Sequence, residues 1–430
     1  MDISVTIKNP FGHIKAITSK SYAHRHLICS ALSDKTNFVE IQETSQDIDA
    51  TVQCLNALGS NITHEKNGFR VEPIKKANRN AVLDCKESGS TFRFLLPISC
   101  ALGADSSFTM QPGLAKRPIT PLYMQLAAKG CTFSQEGVVP FLTKGRLKSG
   151  TYELTGDVSS QYITGLLMAL PLLKESSRII LSSKLESSGY VDMTIDVLSG
   201  YGIHINRIQQ GFEIPDNIDY HSSGHADVEK DWSNASFFLC AGALSEQGIT
   251  IEGLNVKSLQ KDKMILDILS RMGAAISVNN NYVTIRKDKL SATDIDASEI
   301  PDLVPILSLM ASVSRGKTVI YNAKRLRIKE SDRLSSTYDM LKRLGADIKE
   351  EQDSLIITGK QMLNGGSVYS FNDHRIAMTA AIASIVSKET VIIQDAQAVN
   401  KSYPDFFKDF AEIGGITKIV SGGSNVISVR

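Results

Sequence analysis

LKRLGADI, residues 341–348, sets an apolar residue, then a glycine four positions on, then another apolar residue three beyond that. Read alone, it ends a helix: glycine takes the left-handed position after the last turn at little cost, and the apolar residue past it opens an extended segment. Read along the chain, it is one of six. LNALGSNI (55–62), LAAKGCTF (126–133), LSGYGIHI (198–205), LSRMGAAI (269–276) and a worn copy, FAEIGGIT (410–417), put glycines at 59, 130, 202, 273 and 414. With Gly345 included, the steps are 71, 72, 71, 72 and 69 residues. Self-similarity at a fixed period marks a repeat architecture, so six units, each containing a helix that feeds a strand, fill the 430 residues.

A second landmark keeps the same period: a polar head on a helix rich in apolar and small residues. The copies are SKSYAHRHLICSAL (19–32), ESGSTFRFLLPISCAL (87–102), SSQYITGLLMALPLL (159–173), DWSNASFFLCAGAL (231–244), IPDLVPILSLMAS (300–312) and NDHRIAMTAAIAS (372–384). Helices apolar on most faces are core helices, and Ser, Asp or Asn at their starts are ordinary N-caps. Strands are legible as ISVTIK, FRVEP, SRIILSS, GITIEGL, YVTIRK, KTVIYNA, SLIITG and TVIIQDA, which alternate and are β-branched. Strand and helix alternate as in an α/β or α+β chain. A chain of this length exceeds one core, and three repeats per domain is the simplest division. The polar, turn-rich segment 211–230 reads as the linker.

With 47 basic against 46 acidic residues the net charge is +1. No global field exists to hold nucleic acid or an anionic membrane, so any basic site is local. The cysteines at 29, 54, 85, 100, 131 and 240 form no CxxC pair and read as buried thiols of a reducing cytosol. The first residues lack the basic start and apolar run of a leader, no apolar stretch reaches the roughly 20 residues that span a bilayer, and a cytoplasmic protein is expected.

The heads carry more charge than caps require. Lys20 and Arg25 lie in KSYAHR, Arg93 in STFR, Arg117 in KRP, Lys329, Glu330 and Arg333 in RLRIKESDRL, Asp373, His374 and Arg375 in DHR, and Lys401 in KSYP. Basic residues at helix N-termini oppose the macrodipole, and their recurrence suits an anionic ligand held by guanidinium forks and hydroxyls such as those of Ser159, Ser160 and Ser187. For Asp302 the ordinary account is a cap, and for Glu330 an i, i+3 ion pair with Arg333.

In order along the chain, KSYAHR (20–25), ESGSTFR (87–93), KRP (116–118), SSQY (159–162), SGYVD (188–192), IPDLVP (300–305), RIKESDR (327–333), DHRIAM (373–378) and KSYPDFF (401–407) together resemble the 5-enolpyruvylshikimate-3-phosphate synthase family of enolpyruvyl transferases over nearly the whole length. The resemblance implies a two-domain inside-out α/β barrel with three βαβαββ units per domain and the active site in the cleft between domains. It implies an N-terminal segment (1–18) packed with the C-terminal domain, a shikimate 3-phosphate domain (19–228) and a phosphoenolpyruvate domain (229–430). The reaction implied moves the enolpyruvyl group of phosphoenolpyruvate to the 5-hydroxyl of shikimate 3-phosphate by addition and elimination, in the pathway to chorismate and the aromatic amino acids. It needs no metal or organic cofactor. The partners expected are the two small substrates, with no nucleic acid and no membrane, and the chain is expected to act as a monomer.

Carried over by the resemblance, Asp302 accepts the hydroxyl proton, Glu330 protonates the methylene carbon, and Lys20 bridges both substrates. Shikimate 3-phosphate would touch Lys20, Ser21, Arg25, Ser159, Ser160, Ser187, Asp302 and Lys329, with Gln161 and Tyr190 along its ring. Phosphoenolpyruvate would meet Lys20, Gly89, Arg117, Gln161, Arg333, Arg375 and Lys401. On this reading Lys329 and Arg333 serve different anions, and alanine at Gly89 would crowd phosphoenolpyruvate and, more, its competitor glyphosate. Arg325 stands where some members have Asn, Ser90 where Thr is more frequent, and Phe94 where one subgroup has Pro. A sister transferase acting on UDP-N-acetylglucosamine usually carries a cysteine in the loop that here reads QPGLAKRP (111–118) and has none. A non-catalytic anion-binding homologue would be expected to have lost Asp302 or Glu330.

Overall fold

The computed structural model describes residues 1–420 and 426–428. Two compact units divide the chain, one made of Met1–Ile17 with Lys230–Arg430 and the other of Thr18–Glu229.

In Thr18–Glu229 one sheet plan recurs three times. Strand Val82–Asp84 runs parallel to Ser107–Thr109, across helix Gly89–Leu102. Phe141–Gly145 and Cys131–Phe133 then add antiparallel. Thr151–Leu154, Ser177–Leu181, Gly211–Ile214 and Asn206–Ile208 repeat that order. In the first repeat the parallel edge comes from the far end of the unit, where His225–Asp227 pairs with Asn37–Glu40. The other unit is completed from the N-terminus. Gly12–Lys15 is the parallel edge beside Ile249–Glu252, and Ile3–Ile7 lies antiparallel between Val391–Gln394 and Gly415–Val420. Backbone hydrogen bonds therefore tie the first residues to the C-terminal repeats.

The first helix of each repeat is enclosed. Every residue of Trp232–Ala243 and of His374–Ala383 is buried, as are most of Gly89–Leu102, as all-round apolar helices should be. The second helices are two-faced: Arg333–Arg343 buries Leu334, Met340 and Leu341 and leaves its other side polar. Within a unit the sheets stand outside with one face wet, alternating as in Ile3–Ile7. Helices Gly89–Leu102 and Ser160–Ala169 approach so closely at Gly165 that a Cβ there would lie 2.4 Å from the Arg93 carbonyl oxygen. All six repeat glycines adopt positive φ, from 79° at Gly202 to 113° at Gly59, so the worn copy at Gly414 keeps the geometry its sequence had blurred.

The segment 211–230 is not a free linker. It contributes Gly211–Ile214 and His225–Asp227 to two sheets of one unit, and the chain passes between units at Glu229 and Lys230. All six cysteines are buried free thiols. Among the described residues, no helix is long and apolar enough to cross a membrane.

Candidate active site

In Thr18–Glu229 four helices present their polar heads. Ser19, Ser88 and Ser159 cap theirs as expected, accepting from the amides of Tyr22, Thr91 and Gln161. Ser187 does not: it holds a left-handed conformation, φ 51° and ψ 45°, with no side-chain cap bond. A non-glycine residue kept there costs of order 1–3 kcal/mol and persists only where its surroundings enforce it. Ser187 is buried at the start of Ser188–Gly200.

Arg25 is 2% exposed. It donates through Nε to Thr194 Oγ1 at 2.9 Å, through Nη1 to the Ser21 carbonyl at 2.6 Å and through Nη2 to the Tyr190 carbonyl at 2.9 Å. All three acceptors are neutral, and the guanidinium lies 5.3 Å from the ring centroid of Phe94. Burial pulls Arg25 down to about 10. A chain of hydroxyls fixes it, since Thr194 also meets Thr164 at 3.0 Å. Lys20 is ion-paired with Asp47 at 2.8 Å.

A second cationic head forms at Gly89. A Cβ on that residue would lie 2.8 Å from Nη1 of both Arg93 and Arg117, so two guanidiniums converge on the N-terminus of one helix, where unpaired N–H groups add positive potential. Gln161 bridges across, accepting from Arg93 Nη1 at 3.0 Å and donating to Ser90 Oγ at 3.0 Å. Ser90 is thus a hydrogen-bond partner of Gln161. Arg93, noted in the sequence as a head residue but given no role, sits with Gly89 and Arg117.

In the other unit the charges interlock around Arg333, whose side chain is wholly buried. Nη1 donates to Asp302 Oδ1 at 2.8 Å, Nε to Asp373 Oδ2 at 3.0 Å and Nη2 to Glu330 Oε2. Burial alone would lower its basicity, but Asp373, Glu330 and Asp302 outweigh it and raise it above the ordinary value. Asp302 gathers two further cations, Lys329 at 3.5 Å and Arg375 Nη2 at 3.2 Å. Burial pulls the Lys329 ammonium down, Asp302 resists, Arg325 and Arg333 add to the fall, and the outcome is about 8. Lys401 Nζ donates to the carbonyl of Asn372 at 2.5 Å, beside the same helix head.

One sequence expectation changes here. Asp302 is no cap: the chain enters helix Val304–Val313 through the 3-10 turn Pro301–Leu303, with no side-chain cap bond, and its carboxylate is turned to the cations. Lys329 and Arg333 both reach the carboxylate of Asp302. The i, i+3 pair of Glu330 with Arg333 forms as read. Asp373 both caps its helix, accepting from the Arg375 amide at 2.9 Å, and grips Arg333.

Asp262 was missed. It is buried in the turn Lys261–Met264, where burial and then the Asp302 charge, against Arg375, push its carboxyl up to about 7. Its neighbours in the sequence are two lysines, in KDK.

Among solved structures, EPSP synthase from Acinetobacter baumannii superposes with a TM-score of 0.81 over 97% of this chain and 99% of that one at 23% identity. The enolpyruvyl transferase NikO from Streptomyces tendae gives 0.77 over 100% of each at 16% identity. These likenesses define the fold as that of the enolpyruvyl transferases. In sequence, the profile of the family described as EPSP synthase (3-phosphoshikimate 1-carboxyvinyltransferase) matches residues 6–410. The 3-phosphoshikimate 1-carboxyvinyltransferases of Clostridium botulinum (strain Alaska E43 / Type E3) and Clostridium novyi (strain NT) are each 44% identical, over 94% of this chain and 95% of theirs. The chain belongs to the EPSP synthase family of transferases.

Proposed function

We propose that this chain transfers the enolpyruvyl group of phosphoenolpyruvate to the 5-hydroxyl of shikimate 3-phosphate, releasing phosphate. The observation that carries the reading is the pair of carboxylates, Asp302 and Glu330, held on the two terminal nitrogens of one buried guanidinium. Addition–elimination needs an acid for the methylene carbon and a base for the attacking hydroxyl, each fixed relative to the other. Asp302, contacted by Lys329, Arg333 and Arg375, suits the base. Glu330 suits the acid. To give a proton it must first hold one; the Arg333 contact favours its anion, and a second anion drawn to the same cations favours its acid form. No step calls for a metal or an organic cofactor.

In this reading shikimate 3-phosphate takes Lys20, Ser21, Arg25, Ser159, Ser160, Gln161, Ser187, Tyr190, Asp302 and Lys329. Phosphoenolpyruvate takes Lys20, Gly89, Arg117, Gln161, Arg333, Arg375 and Lys401. The converged guanidiniums at Gly89 and the neutral-lined Arg25 support two anion positions in Thr18–Glu229. Phosphate release from phosphoenolpyruvate with shikimate 3-phosphate as acceptor, and none with UDP-N-acetylglucosamine, is the expected result; the reverse preference overturns the assignment.

Gly89→Ala should push the two guanidiniums from the helix head, since the new methyl lies 2.8 Å from each. Displacements of this size cost about tenfold to a hundredfold, so KM for phosphoenolpyruvate should rise by that factor while shikimate 3-phosphate binding is unchanged in titration calorimetry.

Lys329 gives a pH dependence. Its folded value of about 8 lies below the ordinary lysine value, so above pH 8 it faces the ligand uncharged. The affinity for shikimate 3-phosphate should therefore fall as pH rises through about 8, with proton uptake on binding just above that point, measured by calorimetry in buffers of different ionisation enthalpy. A flat affinity from pH 7 to 9 would remove Lys329 from the contact.

A further inference from the structure

At the opposite ends of the core helices from Asp302 and Asp373, the unit Met1–Ile17 with Lys230–Arg430 contains a cavity of about 540 Å³. The repeat builds it. Three equivalent helix ends line it, Leu244–Glu246, Val313–Arg315 and Ile385–Val386. Between them come three segments that follow equivalent strands: Lys287, Asp288 and Leu290 after Tyr282–Arg286, Gly359–Met362 after Leu355–Thr358, and Asn9–Pro10 after Ile3–Ile7. The volume is ordinary for a small-molecule site.

At each of the three helix ends a backbone amide already takes up a carbonyl. Lys287 N donates to Ser245 O, Lys360 N to Ser312 O and Leu363 N to Val386 O, each at 2.8 Å. The floor is apolar, with Leu244 buried and Leu290, Val313 and Ile385 half-buried, while Met362 is exposed at the mouth. Of the rim charges, Lys287 pairs with Glu246 at 2.8 Å, and Lys360 Nζ donates to the Gly345 carbonyl at 2.8 Å. Asp288 accepts from the Lys289 amide. Among the described residues, the exposed guanidinium of Arg315 makes no hydrogen bond or ion pair. Lys287, Arg315 and Lys360 against Glu246 and Asp288 leave one positive charge in surplus.

We propose that this cavity binds an amphipathic monoanion: a small carboxylate whose apolar or aromatic body lies on the Leu244, Leu290, Val313 and Ile385 floor while its carboxylate meets the Arg315 fork. A planar guanidinium with both terminal nitrogens open is suited to bidentate carboxylate contact. Mere hydrophobicity would accept a neutral or cationic body equally, so the surplus charge makes the discriminating test.

The test is titration of the full chain by calorimetry with 4-phenylbutyrate, 4-phenylbutanol and 4-phenylbutylamine, in the native protein and in Arg315→Ala and Met362→Trp. Expected is saturable 1:1 binding of the carboxylate at least about tenfold tighter than of the alcohol or the amine, the scale of one charge-assisted pair. Arg315→Ala should erase that preference, and Met362→Trp, a change at an exposed position that narrows the mouth, should weaken all three probes. Absence of saturable binding overturns the proposal, as does carboxylate binding that survives both variants, which would place the anion elsewhere, or equal affinity for the three probes. Neither position belongs to the proposed active site, so phosphate release by both variants serves as the check that they are folded.

Discussion

Glu330→Gln is expected to bind shikimate 3-phosphate with native affinity and to lose turnover by about 10²- to 10⁴-fold, the usual worth of a positioned acid or base. The amide keeps the shape and can still touch Arg333 Nη2 through its oxygen, so the cluster around Asp302 and Arg375 stays in place. What it lacks is a transferable proton. Calorimetric titration beside a phosphate-release assay separates the two: native binding with slow release supports Glu330 as the acid, whereas native kcat would move the proton donor to another group. Asp262 is the next candidate in that event, since it is buried in the same unit with its carboxyl pushed up to about 7.

How far the sequence carried this reading differs between fold and site. The sixfold period was legible because glycine is the inexpensive residue at a left-handed helix end, and all six keep that conformation. The segment 211–230 carries two strands that its sequence does not announce, for a physical reason. His225–Asp227 is an edge strand paired on one side only, so it needs no alternating apolar face, and its polar residues look like loop. Caps and functional groups also proved not to be exclusive readings: Asp373 is both, whereas Asp302 is not a cap because its helix opens on a 3-10 turn. Arg93 follows Gly89 by four residues in helix Gly89–Leu102, a spacing legible in the sequence, whereas Arg117 reaches Gly89 from the loop before helix Thr120–Ala128, which leaves no local signal. Asp262 was hidden by its lysine neighbours, which indicate solvent on a stretch that turns its carboxyl inward.

Arg333→Met should be the most destabilising single change in the site. The guanidinium is wholly buried and compensates Asp302, Glu330 and Asp373 together, and methionine fills its volume without its charge. Removing one partner of a buried ionic cluster costs about 3–5 kcal/mol, because charges are left behind without compensation. For a unit of this size each kcal/mol moves Tm by about 2–4 °C, so a fall of roughly 6–20 °C is expected at pH 8. The sign of its pH dependence follows from what remains. Three carboxylates that have lost their shared guanidinium are each easier to protonate than in the native cluster, and protonation relieves their repulsion. The variant's deficit should therefore be largest at pH 8 and shrink towards pH 5, where protons replace part of the lost charge. Arg333→Lys, which keeps one positive charge but cannot fork to three acids, should fall between. Calorimetric melts of the three proteins across that range decide the matter: a deficit independent of pH would mean that Arg333 stabilises by packing, and an unchanged Tm at pH 8 would mean that the carboxylates around it find other partners.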